Sequence, residues 1–183
     1  ECIIDYTNSN IMYGALYYGD IRKSINGGNS FSSIGPASNG AWETPYVIDR
    51  NNNEILYAGY TELYKTTDGG NNWNTITSNV TNGGKIDEIA LSKSNQDVIY
   101  FSDGANIYKT INGGNNWSNI SNNLPYKQIS YIAVHPLNED KVWVTFSGYT
   151  SSEKVYVSDD GGNNWQNISG TLPNIPCNTI VLD

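Results

Sequence analysis

Apolar and polar positions alternate along this chain in short runs that recur every 43–48 residues. In each full period an apolar run ends at a polar residue, and an aromatic residue follows eight positions later. A third run then leads into a turn rich in glycine and asparagine, and a short alternating segment follows that turn. No stretch keeps a 3.6-residue period, so each period predicts four short β-strands and almost no helix. The first runs end at Asp5, Asp49, Ser92, His135 and Asp183, and the aromatic residues are Tyr13, Tyr57, Tyr100 and Trp143.

The glycine-rich turn is an octamer that occurs four times, at residues 24–31, 66–73, 110–117 and 158–165. Its pattern is Ser or Thr, any residue, Asp or Asn, Gly, Gly, Asn, Asn or Ser, and Trp or Phe. Asp-Gly and Asn-Gly pairs favour tight turns because such turns need positive φ. The Asp, Asn, Ser and Thr side chains can bond to nearby backbone N–H groups, and the final ring anchors the turn by burial. The residues that we assign to this structural turn are Ser24, Asn26, Gly28, Phe31, Thr66, Asp68, Gly70, Trp73, Thr110, Asn112, Gly114, Trp117, Ser158, Asp160, Gly162 and Trp165.

One period of about 45 residues with four strands matches one blade of a β-propeller. The first strand of each period is the most apolar, as expected for a strand covered on both faces. The fourth is the most polar, as expected for an exposed edge. We therefore predict an all-β propeller segment of about four four-stranded antiparallel blades. The predicted blades are residues 1–40, 41–83, 84–126 and 127–175, and residues 176–183 are predicted to be the inner strand of a further blade.

Both ends of the chain supply an inner strand, which is one strand too many for a closed four-bladed ring. We therefore expect an excerpt of a larger propeller, whose open ends expose apolar blade faces. The expected partners are the missing blades or another copy of the chain. Cys2 and Cys177 are too few for a disulfide framework. They can bond to each other if the chain ends meet in a small ring, and otherwise they remain thiols or pair elsewhere.

The octamers resemble the Asp-box, also called the BNR repeat, whose pattern is Ser/Thr-x-Asp-x-Gly-x-x-Trp. Octamers 66–73 and 158–165 match it fully, whereas Asn26 and Asn112 replace the Asp and Phe31 replaces the Trp. The flanking strands are also similar to those of secreted BNR-repeat propellers, so the resemblance covers almost the whole chain. It implies a secreted or cell-surface propeller whose octamers are structural turns away from the ligand. The family includes sialidases, xyloglucan-cleaving glycoside hydrolases and sortilin-type receptors, so the fold does not supply the function.

Composition and charge exclude several classes of function. The formal net charge is −8 and no basic run exists, so neither nucleic acid nor an anionic membrane is an expected partner. No apolar stretch approaches the roughly 18 residues of a transmembrane helix. We expect no cofactor and no metal, because Asp68 and Asp160 use their lone pairs within the turn. The single histidine, His135, ends an inner run before Pro136 and is predicted to be a turn residue.

No catalytic residue is predicted. The resemblance to sialidases would require three arginines for the substrate carboxylate, and the chain has only Arg22 and Arg50. A xyloglucanase-type site needs two carboxylates about 6.5–9.5 Å apart for inversion, and no acidic residue stands in the sequence context that this resemblance requires. The sequence therefore favours a carbohydrate- or protein-binding or structural module. The alternative is part of a glycoside hydrolase whose remaining blades lie outside this chain.

Four residues are candidates for a ligand-binding face: Glu43, Asp87, Glu88 and Tyr131. They lie where the chain enters the predicted inner strands, and in a propeller the loops at these entrances build the central face. A tyrosine near carboxylates suits a sugar or a peptide, and both ligand classes remain open from the sequence.

Overall fold

The computed structural model describes residues 2–36 and 39–182 and shows an all-β chain. Its strands form four four-stranded antiparallel sheets, each built from consecutive strands, which confirms the predicted fold class. The single helical element among the described residues is a 3-10 turn at Tyr17–Gly19. Sheet 1 contains β1 (Cys2–Ile4), β2 (Met12–Ala15), β3 (Ile21–Ser24) and β4 (Ser32–Ser33); sheet 2 contains β5 (Tyr46–Ile48), β6 (Leu56–Gly59), β7 (Leu63–Thr66) and β8 (Asn74–Thr75). Sheet 3 contains β9 (Glu88–Leu91), β10 (Ile99–Ser102), β11 (Ile107–Thr110) and β12 (Ser118–Asn119); sheet 4 contains β13 (Ile129–His135), β14 (Asn138–Phe146), β15 (Val155–Ser158) and β16 (Gln166–Asn167).

The sheets fall into two compact units, the first ending at Asp87 and the second beginning at Glu88. Unit 1 holds sheets 1 and 2, and unit 2 holds sheets 3 and 4. Within each sheet the strands follow chain order, so the connections alternate between its two ends. The first-to-second and third-to-fourth connections share one end, which we call the octamer edge. The second-to-third connection and the entry to the first strand share the other end, which we call the loop edge.

Burial follows the position of each strand in its sheet. The second strands β6 and β10 are buried along their whole length, and the fourth strands are exposed in all four sheets. We expected the first strands to be the most covered, but β5 and β9 are buried only in part. In sheets 2 and 3 the second strand, which pairs on both sides, is covered more fully than the first, which pairs on one side within its sheet.

The recurrent aromatic residue of the second strand lies opposite a lysine of the third strand in sheets 1 to 3. The pairs are Tyr13–Lys23, Tyr57–Lys65 and Tyr100–Lys109. Each lysine Nζ lies 5.4–5.6 Å from the centroid of its partner ring. Such a cation–π contact contributes about 0.5–1 kcal/mol at an exposed position. In sheet 4 the lysine comes from the second strand itself, with Lys141 Nζ 5.5 Å from the Trp143 ring.

All four octamers fold into the same turn at the octamer edge. In octamer 66–73 the Thr66 hydroxyl donates to Asp68 Oδ1 at 2.8 Å and accepts the Gly70 N–H at 3.0 Å. Asp68 Oδ1 also accepts the Asn72 N–H at 2.9 Å, and Asp68 Oδ2 accepts the Asn72 side-chain amide at 2.7 Å. The two backbone N–H bonds recur in the other three octamers. Each turn is therefore closed by its own polar side chains.

In both units an octamer also joins two neighbouring sheets. The Trp73 indole N–H donates to the Ile34 carbonyl of sheet 1 at 2.7 Å. The Trp165 indole N–H donates to the Ile120 carbonyl of sheet 3 at 2.8 Å. The second glycine of each of these octamers packs against the side chain of the same isoleucine. The octamer thus closes its own hairpin and also hydrogen-bonds and packs against the preceding sheet.

The octamer carboxylates should make the fold sensitive to acid. Hydrogen bonds from the Asn72 side chain and backbone and from Thr66 lower the pKa of Asp68 from 3.8 to about 2, and Asp160 shows the same lowering. A lowered pKa in the folded state gives stability that is complete above the unfolded pKa and is lost as the pH falls toward the folded one. We expect Asp68→Asn/Asp160→Asn to fold at neutral pH and to lose less stability between about pH 4 and 2.

Denaturant unfolding as a function of pH checks this expectation, and the chain contains its own matched comparison. Asn112 already occupies the equivalent position and accepts the Asn116 N–H at 2.9 Å without a charge. The reverse substitution Asn112→Asp should therefore add acid sensitivity in the same pH range. An Asp68→Asn/Asp160→Asn protein with an unchanged acid profile would contradict the role of these carboxylates.

The polar residues that end the first strands bond to the turns that follow them. Asp5 Oδ1 accepts the Thr7 N–H at 2.7 Å. His135 Nδ1 accepts the Leu137 N–H at 3.1 Å in the equivalent turn of sheet 4. The structure therefore places His135 at the end of β13 rather than within the turn, where the sequence predicted it, and its Nδ1 atom accepts a backbone N–H of the turn that follows.

Residues 176–182 form no strand. The Cys177 N–H donates to the Phe146 carbonyl at 3.2 Å, and the Cys177 carbonyl accepts the Ser130 hydroxyl at 2.5 Å. The inner strand of a further blade at 176–183 stays a prediction, and its last residue lies outside the described residues. Cys2 and Cys177 are both free thiols.

Candidate functional site

Exposed tyrosine and tryptophan side chains concentrate at the loop edge of the sheets. Among the described residues, the exposed ones are Tyr6, Tyr17, Tyr18, Trp42, Tyr126, Tyr131 and Tyr149. Six of these seven lie in loop-edge connections or in the first half of a first strand, and Tyr6 lies at the octamer edge. Large exposed aromatic groups mark binding surfaces when they are contiguous. The contiguous group in this chain lies in unit 1.

The side chains of Tyr17, Tyr18 and Trp42 form this group, which we call the aromatic cluster. The Tyr17 and Trp42 rings stack with their centroids 4.5 Å apart and their planes at 29°. Tyr18 meets Trp42 edge-on at 5.5 Å. All three side chains are more than half exposed, between 53% and 62%. The rings therefore support one another while leaving much of their surface in solvent.

Close backbone packing brings the two loops of the cluster together. Tyr17 and Tyr18 lie in the 3-10 turn between β2 and β3, and Trp42 lies in the connection from sheet 1 to sheet 2. The Gly40 N–H donates to the Tyr18 carbonyl at 3.0 Å. A Cβ on Gly40 would overlap the Thr44 hydroxyl, so only glycine fits at this crossing.

The buried side chain of Tyr60 bonds to the backbone next to the cluster. The Tyr60 hydroxyl donates to the Gly19 carbonyl at 2.6 Å, and the side chain is 2% exposed. Gly19 has φ +85, in the left-handed region that glycine tolerates best. Burial, followed by the nearby Tyr64 and Asp20, raises the pKa of Tyr60, so its hydroxyl stays protonated as a donor at neutral pH.

A cavity of about 370 Å³ opens beside the cluster. Tyr17, Tyr18, Asp20, Ser33 and Asn39 contribute to its lining. The Arg22 guanidinium donates to Asp20 Oδ2 from Nε at 2.9 Å and from Nη2 at 2.7 Å.

Both oxygens of the Asp20 carboxylate are engaged. Asp20 Oδ1 accepts the Ser33 hydroxyl at 2.9 Å. The Arg22 hydrogen bond lowers the pKa of Asp20 even though burial opposes this shift. The two hydrogen bonds from Arg22 thus balance the charge of this carboxylate. The lining residues named above leave no unpaired charge in the cavity.

Two of the four predicted ligand-face residues lie in each unit, and their role in binding stays a prediction. Glu43 is exposed and directly follows Trp42, so it lies beside the aromatic cluster along the chain. Asp87 is half-buried at the end of unit 1. Glu88 opens β9 and pairs across the sheet with Ser102, and Tyr131 lies in β13, the first strand of the next sheet.

In unit 2, Tyr131 borders a second cavity. This space of about 340 Å³ is lined by residues 89–91, 131–134 and 180–182. Its walls are first strands and the chain terminus, with aliphatic side chains predominating. The segment 180–182 therefore lies against the first strands of sheets 3 and 4.

The aromatic cluster was missed by the sequence analysis, although one signal pointed to it. Of five tryptophans, three end octamers and Trp143 occupies the recurrent second-strand position. Trp42 has no place in the repeat, and Tyr17-Tyr18 is a pair of aromatic residues in a connection where the other sheets carry at most one. Aromatic residues outside the repeat pattern are candidates for function because the fold does not require them.

The described residues contain no group of three or more His, Cys, Asp or Glu side chains arranged to hold a metal ion. Within residues 2–36 and 39–182, no helix is long and apolar enough to cross a membrane.

The repeated sheets and the octamer turns define a BNR-like β-propeller class of protein. A family model described as "Sortilin, neurotensin receptor 3" matches residues 20–177. The chain therefore belongs to the Sortilin-Vps10 family, and the predicted resemblance to BNR-repeat propellers is confirmed. No curated protein matches the chain.

Solved structures of larger propeller enzymes share this fold. An ancestral GH74 enzyme is 22% identical over 93% of this chain and 24% of its own, with a TM-score of 0.72. The GH74 enzyme of Niastella koreensis is 23% identical over 90% of this chain and 28% of its own, with a TM-score of 0.68. The GH74 xyloglucanase of Xanthomonas campestris is 10% identical over 97% of this chain and 31% of its own, with a TM-score of 0.74. This chain therefore spans about a quarter to a third of the length of these enzymes.

Proposed function

We propose that this chain is a non-catalytic, secreted or cell-surface propeller module that binds a neutral saccharide at the aromatic cluster. The observation that carries the proposal is the exposure of Trp42 and of the two tyrosine rings that pack against it, beside a cavity with polar groups in its lining. Exposed aromatic surface is costly in water, and proteins keep it where a ligand covers it.

The chemistry of the cluster fits a sugar ring. Aromatic faces offer flat apolar area, and the neighbouring hydroxyl and amide groups of Ser33 and Asn39 offer hydrogen bonds. A pyranose presents the same combination, with C–H groups on its face and hydroxyl groups around its rim. The pairing of Asp20 with Arg22 favours an uncharged ligand, since neither charge is left to balance an ionic one.

Loss of an exposed ring tests this proposal. Trp42→Ala removes the ring that contacts both tyrosines, and we expect the dissociation constant for a xyloglucan oligosaccharide to rise by at least about tenfold. Isothermal titration calorimetry measures the effect, with a neutral β-glucan oligosaccharide as a second probe. The matched control is Tyr126→Ala, which removes an 87%-exposed ring from unit 2. Equal binding by Trp42→Ala and the unchanged protein would contradict the proposal.

A second candidate function is supported by Glu43, whose exposed carboxyl group directly follows Trp42. In this case the chain is part of a glycoside hydrolase, and Glu43 is one of two acidic groups at the bond that is cleaved. A reducing-sugar assay on xyloglucan and on sialylated substrates distinguishes the candidates. Turnover that disappears in Glu43→Gln while oligosaccharide binding persists would support hydrolysis over simple binding.

A further inference from the structure

Each unit of the chain shows how one sheet covers the edge of its neighbour. Ile120 follows β12, and its carbonyl accepts the Trp165 indole N–H at 2.8 Å. Ile34 follows β4, and its carbonyl accepts the Trp73 indole N–H at 2.7 Å. In both places a buried glycine of the same octamer packs on the isoleucine side chain. The acceptor is thus an isoleucine after a fourth strand, and the donor is an octamer turn.

Sheet 4 repeats this acceptor but leaves it uncovered. Ile168 follows β16 as Ile120 follows β12, yet its side chain is 43% exposed, compared with 8% for Ile120. The Ile168 N–H donates to the Val155 carbonyl of its own sheet at 2.9 Å. Within the part of the chain that the structure describes, nothing donates to the Ile168 carbonyl. We call this surface the Ile168 face.

Octamer 24–31 forms the same turn and has an exposed packing surface, although it ends in Phe31 where the two donor octamers above end in tryptophan. Its turn is closed by the Ser24 and Asn26 side chains, so the turn that would pack on a neighbouring sheet is already formed. Phe31 is 43% exposed. A Cβ on Gly28 would meet only Met12 Sδ of its own sheet, at 3.5 Å, so this glycine packs on no isoleucine.

We propose that octamer 24–31 of one copy covers the Ile168 face of a second copy, so that the chain associates head to tail. The isoleucine surface and the octamer turn of a contact that the molecule makes twice internally are both exposed in a single chain. The two halves are different surfaces, so the interface is heterologous. The proposal does not depend on saccharide binding.

The intermolecular contact is weaker than the internal ones for two reasons. The Phe31 side chain has no N–H to donate to the Ile168 carbonyl, whereas the tryptophan of the internal contacts does. Val157 also stands at the third-strand position of Lys23, whose Nζ donates to the Gly69 carbonyl of the next octamer at 2.8 Å. We therefore expect reversible association that depends on protein concentration.

Sedimentation velocity over a range of protein concentrations tests the contact. Ile168→Asp should abolish association, while the control Leu137→Asp, at an 82%-exposed position of the same sheet, should not. Phe31→Trp supplies the missing donor and should lower the dissociation constant on the order of fivefold.

A mixing experiment separates loss of the contact from loss of folding. Ile168→Asp keeps the donor octamer, and Phe31→Asp keeps the Ile168 face. Each variant alone should be monomeric, and an equimolar mixture should form one-to-one dimers that grow no further. The proposal is overturned if the unchanged chain and Phe31→Trp both stay monomeric at about millimolar concentration, or if Ile168→Asp associates as the unchanged chain does.

Discussion

Gly162→Ala is expected to lower the free energy of unfolding by about 2–4 kcal/mol. Gly162 has φ +93, a conformation that costs an alanine about 1–2 kcal/mol. A Cβ at this position would overlap Ile120 Cδ1 and lie 3.0 Å from Ile120 Cβ. Because Ile120 is itself buried, it cannot move away without disturbing the core of unit 2. The two costs arise from different causes and therefore add.

A matched substitution separates strain from overlap. Gly28 occupies the same position of octamer 24–31 with φ +86, but its Cβ would meet only Met12 Sδ at an ordinary 3.5 Å. Gly28→Ala should therefore show only the backbone cost, about 1–2 kcal/mol. Denaturant unfolding in dilute protein measures both values. Adding Ile120→Val, which removes the overlapped methyl group, should recover part of the loss in Gly162→Ala. Equal costs at Gly28 and Gly162 would show that the isoleucine contact contributes nothing.

The repeat was predictable from sequence because its determinants are local. Each octamer carries the glycines, the Asp or Asn and the Ser or Thr that close its turn, all within eight residues. The alternation of short runs then fixes four strands a period. The turn after His135 was predictable for the same reason, since the bond from the Leu137 N–H to His135 spans two residues, although His135 itself ends β13.

Contacts between sheets were less predictable because they join residues far apart in the chain. The bond from Trp73 to the Ile34 carbonyl spans 39 residues, and the bond from Lys23 to the Gly69 carbonyl spans 46. The octamer pattern predicts that its ring anchors the turn, but it does not say which carbonyl accepts the indole N–H. That partner depends on how consecutive sheets pack, which no local pattern encodes.

The candidate site was predictable only in its location. The sequence placed its candidate ligand face where the chain enters the first strands, and the aromatic cluster lies at the same edge, while ligand binding there stays a prediction. The residues predicted for that face were mostly carboxylates such as Glu43, because a carboxylate can accept hydrogen bonds or act as an acid or base. The cluster instead depends on the meeting of two loops, through Gly40 against Tyr18 and through the Tyr60 hydroxyl beneath them.

Trp165→Ala should also lower the free energy of unfolding by about 2–4 kcal/mol, because the ring is half-buried against the core of unit 2. Trp165→Phe keeps most of the apolar area but leaves the Ile120 carbonyl without its donor, so we expect a loss of about 1 kcal/mol. The difference between these variants measures the packing of the ring apart from its hydrogen bond.

Trp42→Ala is the matched control, since it deletes the same side chain from a position that is 59% exposed. We expect less than about 1 kcal/mol of destabilisation there, together with the loss of saccharide binding. Trp165→Ala should show the opposite combination, with unfolding at lower denaturant and unchanged affinity in the remaining folded protein. If one Trp→Ala substitution lowers only stability and the other only affinity, then Trp165 holds the sheets together and Trp42 contacts the ligand. If both deletions weaken binding and stability together, the cluster is part of the structural frame and the ligand binds elsewhere.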